Sequence, residues 1–259
     1  HRRVVRQTVK VGAGRTAKKG NEVAEKVVIG NAELWHGDCR EVLPLLPECD
    51  LILTDPPYGI GVDVRMKAAA GKKSSGGAAY KKDYGETNWD AETPPAWLFG
   101  LMCDMSKHQI IFGGNYFDLP PTPCVLVWDK DNGTTKFADF ELAWTNLKQA
   151  ARLKRYMWNG MLQENMAKKE TREHPTQKPV PVIEWAIAQA PDDVVTVCDP
   201  FMGSGTTGVA CAMLGKTFTG IERERKYFDL ACERISRAQA QGQLLPPEHK
   251  PAAVQEALL

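Results

Sequence analysis

The chain has 259 residues, 43% of them hydrophobic and 25% charged, with a formal net charge of +1. That is enough apolar material for one substantial core, and no apolar run approaches the roughly 18 residues of a membrane span. The polar, basic start carries no secretory signal, and a charge of +1 excludes strong whole-molecule attraction to polyanions, so any nucleic-acid footprint must come from local clusters.

Seven scattered cysteines without a Cys-x-x-Cys pair point to reduced thiols in a cytoplasmic protein, with neither a disulfide frame nor a metal site. Residues 1–26 carry eight Lys or Arg against Glu22 and Glu25 and read as a basic, disordered N-terminal segment. The main domain is expected over 27–241, followed by a C-terminal tail at 242–259.

Apolar runs bounded by turn residues predict strands at Ala32–His36, Leu51–Thr54, Gln109–Phe112, Val125–Trp128, Glu141–Trp144, Val194–Cys198 and Phe218–Ile221. Helical patterns fall at Arg40–Leu46, Ala96–Ser106, Val180–Ala190, Thr206–Leu214 and Arg223–Gln241. This alternation predicts an α/β domain with a mainly parallel sheet of about seven strands, helices on both faces, and ligands beyond the carboxyl ends of the strands.

Two stretches interrupt the pattern. Residues 61–95, small and polar around Ala68–Ala79, read as a mobile loop placed to close over a substrate. Residues 148–173 are basic and carry aromatic side chains. There Arg152, Lys154 and Arg155 could neutralise phosphates while Tyr156 or Trp158 stacks or wedges at a base, or the aromatics could simply cover the sheet.

Two motifs end predicted strands. After Val194–Cys198 comes Asp199-Pro200-Phe201-Met202-Gly203-Ser204-Gly205-Thr206-Thr207-Gly208, a turn whose glycines and following helix N-terminus suit a nucleotide-like ligand. Glu222 closes the next strand, 19 positions after Gly203, where a carboxylate can accept ribose hydroxyl protons. Gly203 to Gly208 also spells Gly-x-Gly-x-x-Gly, so the turn alone cannot separate NAD from S-adenosylmethionine.

The second motif, Asp55-Pro56-Pro57-Tyr58, follows Leu51–Thr54. Its prolines make a rigid corner that offers carbonyl acceptors rather than N–H donors. An exocyclic base amino group is a poor nucleophile because its lone pair is delocalised into the ring. The Asp55 carboxylate and the Pro56 carbonyl could accept its two N–H bonds and stabilise the charge that builds as nitrogen attacks a methyl sulfonium. Tyr58 could stack on a base rotated out of the duplex. The competing reading of the tetrapeptide is a structural Pro-Pro turn with an Asx cap.

Together these residues resemble the amino-methylating DNA methyltransferases in the β arrangement, in which the catalytic motif precedes the cofactor motif. Asp55–Tyr58 looks like their motif IV, Asp199–Thr207 like motif I, and His174-Pro175-Thr176-Gln177-Lys178-Pro179 like motif X. Gly37-Asp38, Trp128-Asp129-Lys130 and Glu141 are further likenesses, and the resemblance spans about Glu33 to Ala238.

The resemblance implies a Rossmann-like class I methyltransferase fold with circularly permuted motif order, S-adenosylmethionine as cofactor, and double-stranded DNA as partner. It implies that Asp199, Phe201, Gly203, Ser204, Gly205, Thr206 and Thr207 form the methionine end of the cofactor site, with Glu222 at the ribose. Asp38 would accept from the adenine amino group, and Thr176 and Lys178 would hold the cofactor carboxylate. From the residues alone, Asp38 could equally be a helix N-cap, and Lys178-Pro179 could simply start a helix. Within the family this chain resembles, an aspartate heading the tetrapeptide goes more often with N6 of adenine and a serine with N4 of cytosine, so the resemblance implies adenine. Methylation of RNA, or DNA binding without catalysis, would also be compatible with the motifs. Proteins resembling it are often homodimers.

Overall fold

A computed structural model describes residues 4–10, 23–61, 90–133, 138–159, 162–167, 169–171, 173 and 176–242. Most of the expected mobile loop (62–89), the tail beyond 242, residues 1–3 and 11–22, and His174 and Pro175 lie outside them.

In chain order the strands are β1 (Val5–Lys10), β2 (Val23–Ile29), β3 (Ala32–His36), β4 (Cys49–Thr54), β5 (Ser106–Phe112), β6 (Val125–Asp129), β7 (Phe140–Thr145), β8 (Arg152–Arg155), β9 (Trp158–Asn159), β10 (Leu162–Gln163), β11 (Thr196–Asp199) and β12 (Thr217–Glu222). The helices are α1 (Cys39–Val42), α2 (Ala96–Asp104), α3 (Val180–Ile187), α4 (Thr206–Met213) and α5 (Arg225–Gly242). Among them, none is long and apolar enough to cross a membrane.

Alternation within the central strands explains the layers, because successive side chains point to opposite faces. Leu51, Leu53, Ile110, Phe112 and Val197 bury on one face with Val182 and Ile183 of α3, Ala210 of α4, and Phe228 and Ala231 of α5. Ile52, Ile111, Cys198 and Ile221 bury on the other with Val42 of α1 and Leu98 and Met102 of α2. Each such large side chain removed from water contributes roughly 2 kcal/mol, so strands apolar on both faces are stable only at mid-sheet, covered on each side.

The sheet runs β1-β2-β3-β12-β11-β4-β5-β7-β6-β8. Its five central strands, β3, β12, β11, β4 and β5, are parallel. From β11 the chain moves on to β12 in one direction, and from β4 to β5 in the other. The strand order therefore reverses between β4 and β11, and a crevice opens beyond their carboxyl ends.

The sheet has ten strands, not about seven. Three carry no clear apolar signal. β2 joins β3 antiparallel across the Gly30-Asn31 turn, and β1 pairs with β2 along Val5–Lys10. Residues 5–10 and 23–26 of the segment expected to be disordered are thus sheet. At the opposite edge β8 adds to β6, and β9 and β10 form a separate ribbon. All seven cysteines are free.

Candidate active site

A pocket of about 680 Å³ fills the crevice between β4 and β11. Its walls include Asp38, Thr176, Lys178, Asp199, Phe201, Gly203, Ser204, Thr206, Thr207 and Glu222, together with Asp55 and Pro57. Gly205, Pro56 and Tyr58 lie behind that surface. Residues of the two motifs therefore face a single cavity.

The glycine turn is built from its own strand and helix. Asp199 ends β11 buried, and its carboxylate accepts from Thr54 Oγ1 and Thr207 Oγ1 at 2.7 Å each and from Phe201 N at 3.1 Å. Burial lifts the Asp199 carboxyl to about 6 against those hydrogen bonds. Asp199 lines the pocket, and its side chain ties β4 to the turn. Gly205 caps α4 at φ +79, and a Cβ there would come within 2.8 Å of Ala231. Its glycine identity thus serves the packing of α4 on α5.

Arg234 of α5, which no sequence pattern flags, donates to Ser204 O at 2.6 Å, Ser204 Oγ at 2.9 Å and Thr206 Oγ1 at 3.3 Å. The Ser204 and Thr206 hydroxyls are therefore engaged by this half-buried guanidinium.

Glu222 ends β12, and its Oε1 accepts from Glu224 N at 2.7 Å. Enclosure raises its carboxyl to about 7. Asp38 caps α1, with Oδ1 accepting from Arg40 N at 2.9 Å and both oxygens from the Arg40 guanidinium. Burial works to raise the Asp38 carboxyl, but these donors outweigh it and hold it below the ordinary range.

The catalytic tetrapeptide is held by distant residues. Tyr58 donates its phenol proton to Asp55 Oδ1 at 2.5 Å, and Lys178 Nζ contacts Asp55 Oδ2. The same ammonium lies 3.1 Å from Glu141 Oε2, while Lys130 Nζ lies 2.7 Å from Glu141 Oε1. Lys178 is 6% exposed and also sits 4.6 Å from the Phe112 ring centre. The resemblance implies a place for it at the cofactor carboxylate. It lines the pocket and is bracketed there by the Asp55 and Glu141 carboxylates.

Enclosure at the pocket end raises the Asp55 carboxyl against the pull of Lys178. For Glu141 enclosure also pushes up, but Lys178 and Lys130 prevail and hold it at about 2. The cluster reads Tyr58–Asp55–Lys178–Glu141–Lys130, with charges alternating along it. One face of the Tyr58 ring is stacked on Tyr116, with centroids 4.7 Å apart and planes 12° from parallel.

The residues expected to meet nucleic acid separate in space. Trp158 is buried in the main core and cannot stack on a base without unpacking it. Tyr156 packs against the same core, and its carbonyl accepts from Trp128 Nε1 at 2.9 Å. Arg152 and Arg155 are exposed on the edge strand β8, with Lys154 half-buried between them. Arg155 is tied to Asp129 at 2.8 Å.

The α/β crevice thus joins a glycine turn to an acceptor-rich proline corner. The family described as DNA methylase, N6/N4 type, matches residues 119–233. Type II methyltransferase M2.LlaDCHI of Lactococcus lactis subsp. cremoris is 25% identical over 82% of this chain and 92% of its own. Type II methyltransferase M.HinfI of Haemophilus influenzae is 27% identical over 78% and 67%. Among solved structures, the M1.HpyAVI–SAM complex is 22% identical, covering 78% of this chain and 99% of that one with a TM-score of 0.49. Over residues 119–233 the chain is similar to the amino-methylating DNA methylases, and these likenesses support the β arrangement, with the Asp55–Tyr58 motif first.

Proposed function

We propose that the protein transfers the methyl group of S-adenosylmethionine to the N6 amino group of adenine in double-stranded DNA, by direct attack from a base turned out of the helix. The observation that carries this is Asp55, a carboxylate aimed into the same pocket as the glycine turn and fixed there by Tyr58 and Lys178.

The pocket fits such a cofactor in size and chemistry. A volume of about 680 Å³ accommodates a nucleoside with an amino-acid arm. In this reading Glu222 would accept from ribose hydroxyls, Asp38 from the adenine amino group, and the Gly203–Thr207 backbone and Thr176 would hold the methionine arm. When bound, S-adenosylmethionine supplies a methyl group on a sulfonium. Asp55 and the Pro56 carbonyl accept the two N–H bonds of the target amine, free its lone pair, and stabilise the positive charge that builds on nitrogen. Nitrogen bonds to the methyl carbon, the carbon–sulfur electron pair returns to sulfur, and Asp55 is placed to take the proton that nitrogen sheds.

Lys178 and Glu141 hold the Asp55 oxygens in one orientation, so little reorganisation is left for the reacting step. A base stacking on the covered face of Tyr58 takes the place of Tyr116. Arg152, Lys154 and Arg155 on the sheet edge would meet phosphates.

Incubation with labelled S-adenosylmethionine and mixed-sequence duplex DNA, followed by mass analysis of the nucleosides, tests the proposal. N6-methyladenine is expected. N4-methylcytosine would overturn the choice of base, and label confined to RNA would overturn the choice of substrate.

A further inference from the structure

The catalytic corner carries a second buried carboxylate. Pro56 and Pro57 have no N–H, so the first backbone donors beyond them belong to Tyr58 and Gly59. A single oxygen, Oδ1 of Asp90, accepts both, at 2.7 Å from Tyr58 N and 3.0 Å from Gly59 N. The main-chain carbonyl of Asp90 accepts a third, from Gly61 N at 3.2 Å. Asp90 is 1% exposed and lies 32 positions along the chain from Tyr58. Gly59 has φ +70, and a Cβ on it would come within 3.2 Å of Thr93, so the segment following Asp90 lies directly against the turn.

These contacts fix more than a loop. No peptide bond among the described residues is cis, so the Pro57 carbonyl points opposite to the Tyr58 N–H, and an acceptor that fixes the one fixes the other. The same N–H sets the direction from which the Tyr58 side chain leaves the backbone, and that side chain ends in the 2.5 Å hydrogen bond to Asp55. Burying a carboxylate costs several kcal/mol unless donors meet it. Here two of the donors that meet it belong to the catalytic turn.

We infer that Asp90 is a positioning residue for methyl transfer, acting through the Tyr58 and Gly59 amides to hold Asp55, Pro57 and Tyr58 in their working geometry. This rests on Asp55–Tyr58 being the methyl-transfer turn. Asp90 does not line the pocket, so its loss should appear in turnover rather than in cofactor affinity.

The test compares Asp90→Ala, Asp90→Asn and Asp90→Glu in the full chain. Alanine removes the acceptor, asparagine keeps it in place, and glutamate displaces it by one methylene. Turnover on duplex DNA should fall at least about tenfold in the Ala and Glu variants and stay within about threefold of wild type in Asn. S-adenosylmethionine affinity by calorimetry should be unchanged in all three. Hydrogen exchange of a peptide spanning residues 51–61 should quicken in Ala and Glu, and stay slow in Asn.

Wild-type turnover in the Ala variant, or an Asn variant as impaired as Ala, would overturn the inference. If the Ala variant does not fold, the Asn and Glu variants decide it, and full turnover in Glu is the contrary result. Exchange is read without catalysis. A wild-type protein that methylates no DNA would defeat the proposed function, while unchanged exchange in the Ala and Glu variants would defeat the Asp90 clamp.

Discussion

The two halves of the pocket are built in different ways. At the glycine turn much of the support lies within the motif, where Asp199 meets Thr207 eight positions on and the Phe201 amide two positions on and Gly205 starts the helix that follows, with Arg234 and Thr54 added from farther along the chain. At the catalytic turn the support converges from far along the chain, with Lys178, Glu141, Lys130 and Asp90 coming from four separate segments. A cofactor cradle can thus be a short motif, whereas the acceptor that activates the amine works only once several segments have docked. Asp199 couples the halves, because its carboxylate also accepts from Thr54 at the end of β4.

This contrast can be broken most sharply at Lys178. Lys178→Met leaves Asp55 and Glu141 enclosed without their shared ammonium. Removing one partner of a buried ion pair costs on the order of 3 kcal/mol, so denaturant unfolding should show a loss of that size. Single-turnover methyl transfer should fall about a hundredfold through loss of a preorganised charge. A variant both stable and active would dissolve the cluster as an explanation of Asp55.

On the cofactor side, Glu222→Gln should weaken S-adenosylmethionine about tenfold, as expected when a carboxylate that accepts charge-free donors is replaced by a poorer acceptor. The pH dependence gives a second reading. Glu222 titrates at about 7 in the empty protein, and hydroxyl donors on a bound cofactor would favour the ionised form and lower that value. Wild-type affinity should therefore rise with pH from about 6 to 8 and then level off, and the Gln variant should lose the slope.

The stability effect has its own sign. A carboxyl raised from 4.5 to about 7 on folding favours the folded state below pH 4.5, and that contribution is lost as pH rises through 7. Glu222→Gln should remove this part of the decline, measured as unfolding free energy across that window.

Smaller effects separate the remaining residues. Arg234→Met should weaken the cofactor several-fold without changing turnover at saturation, because Arg234 holds the glycine turn and does not touch the amine. Arg152→Ala should leave stability unchanged and reduce the salt dependence of DNA affinity by about one ion. Trp158→Ala should do the reverse, destabilising the core by about 3 kcal/mol with the salt slope intact.

The same local-versus-distant divide explains what was legible in the sequence. β3, β4, β5 and β12 are apolar runs closed by turn residues, and Asp55, Asp199 and Glu222 stand at or just beyond strand ends where ligands bind. β8 reads Arg-Leu-Lys-Arg because it is an edge strand, where charge blocks further pairing and erases the apolar signal. β2 carried a usable cue in the Gly30-Asn31 turn, which joins two runs in hairpin register. Asp90 and Arg234 have no such cue, since their partners lie far away in sequence and polar residues follow no period, and Glu141 was marked only by the resemblance. Lys178 stood out within its motif, but only the folded arrangement of α3, β4 and β7 shows that it faces Asp55.

The central claim is that Asp55 activates the amine and contributes little to holding the cofactor. Its direct test is Asp55→Ala, with S-adenosylmethionine affinity from calorimetry set beside the rate of methyl transfer to duplex DNA. Transfer should fall at least about a hundredfold while affinity stays within about threefold of wild type. Near-normal turnover, or a collapse of cofactor binding equal to the loss of rate, would contradict it.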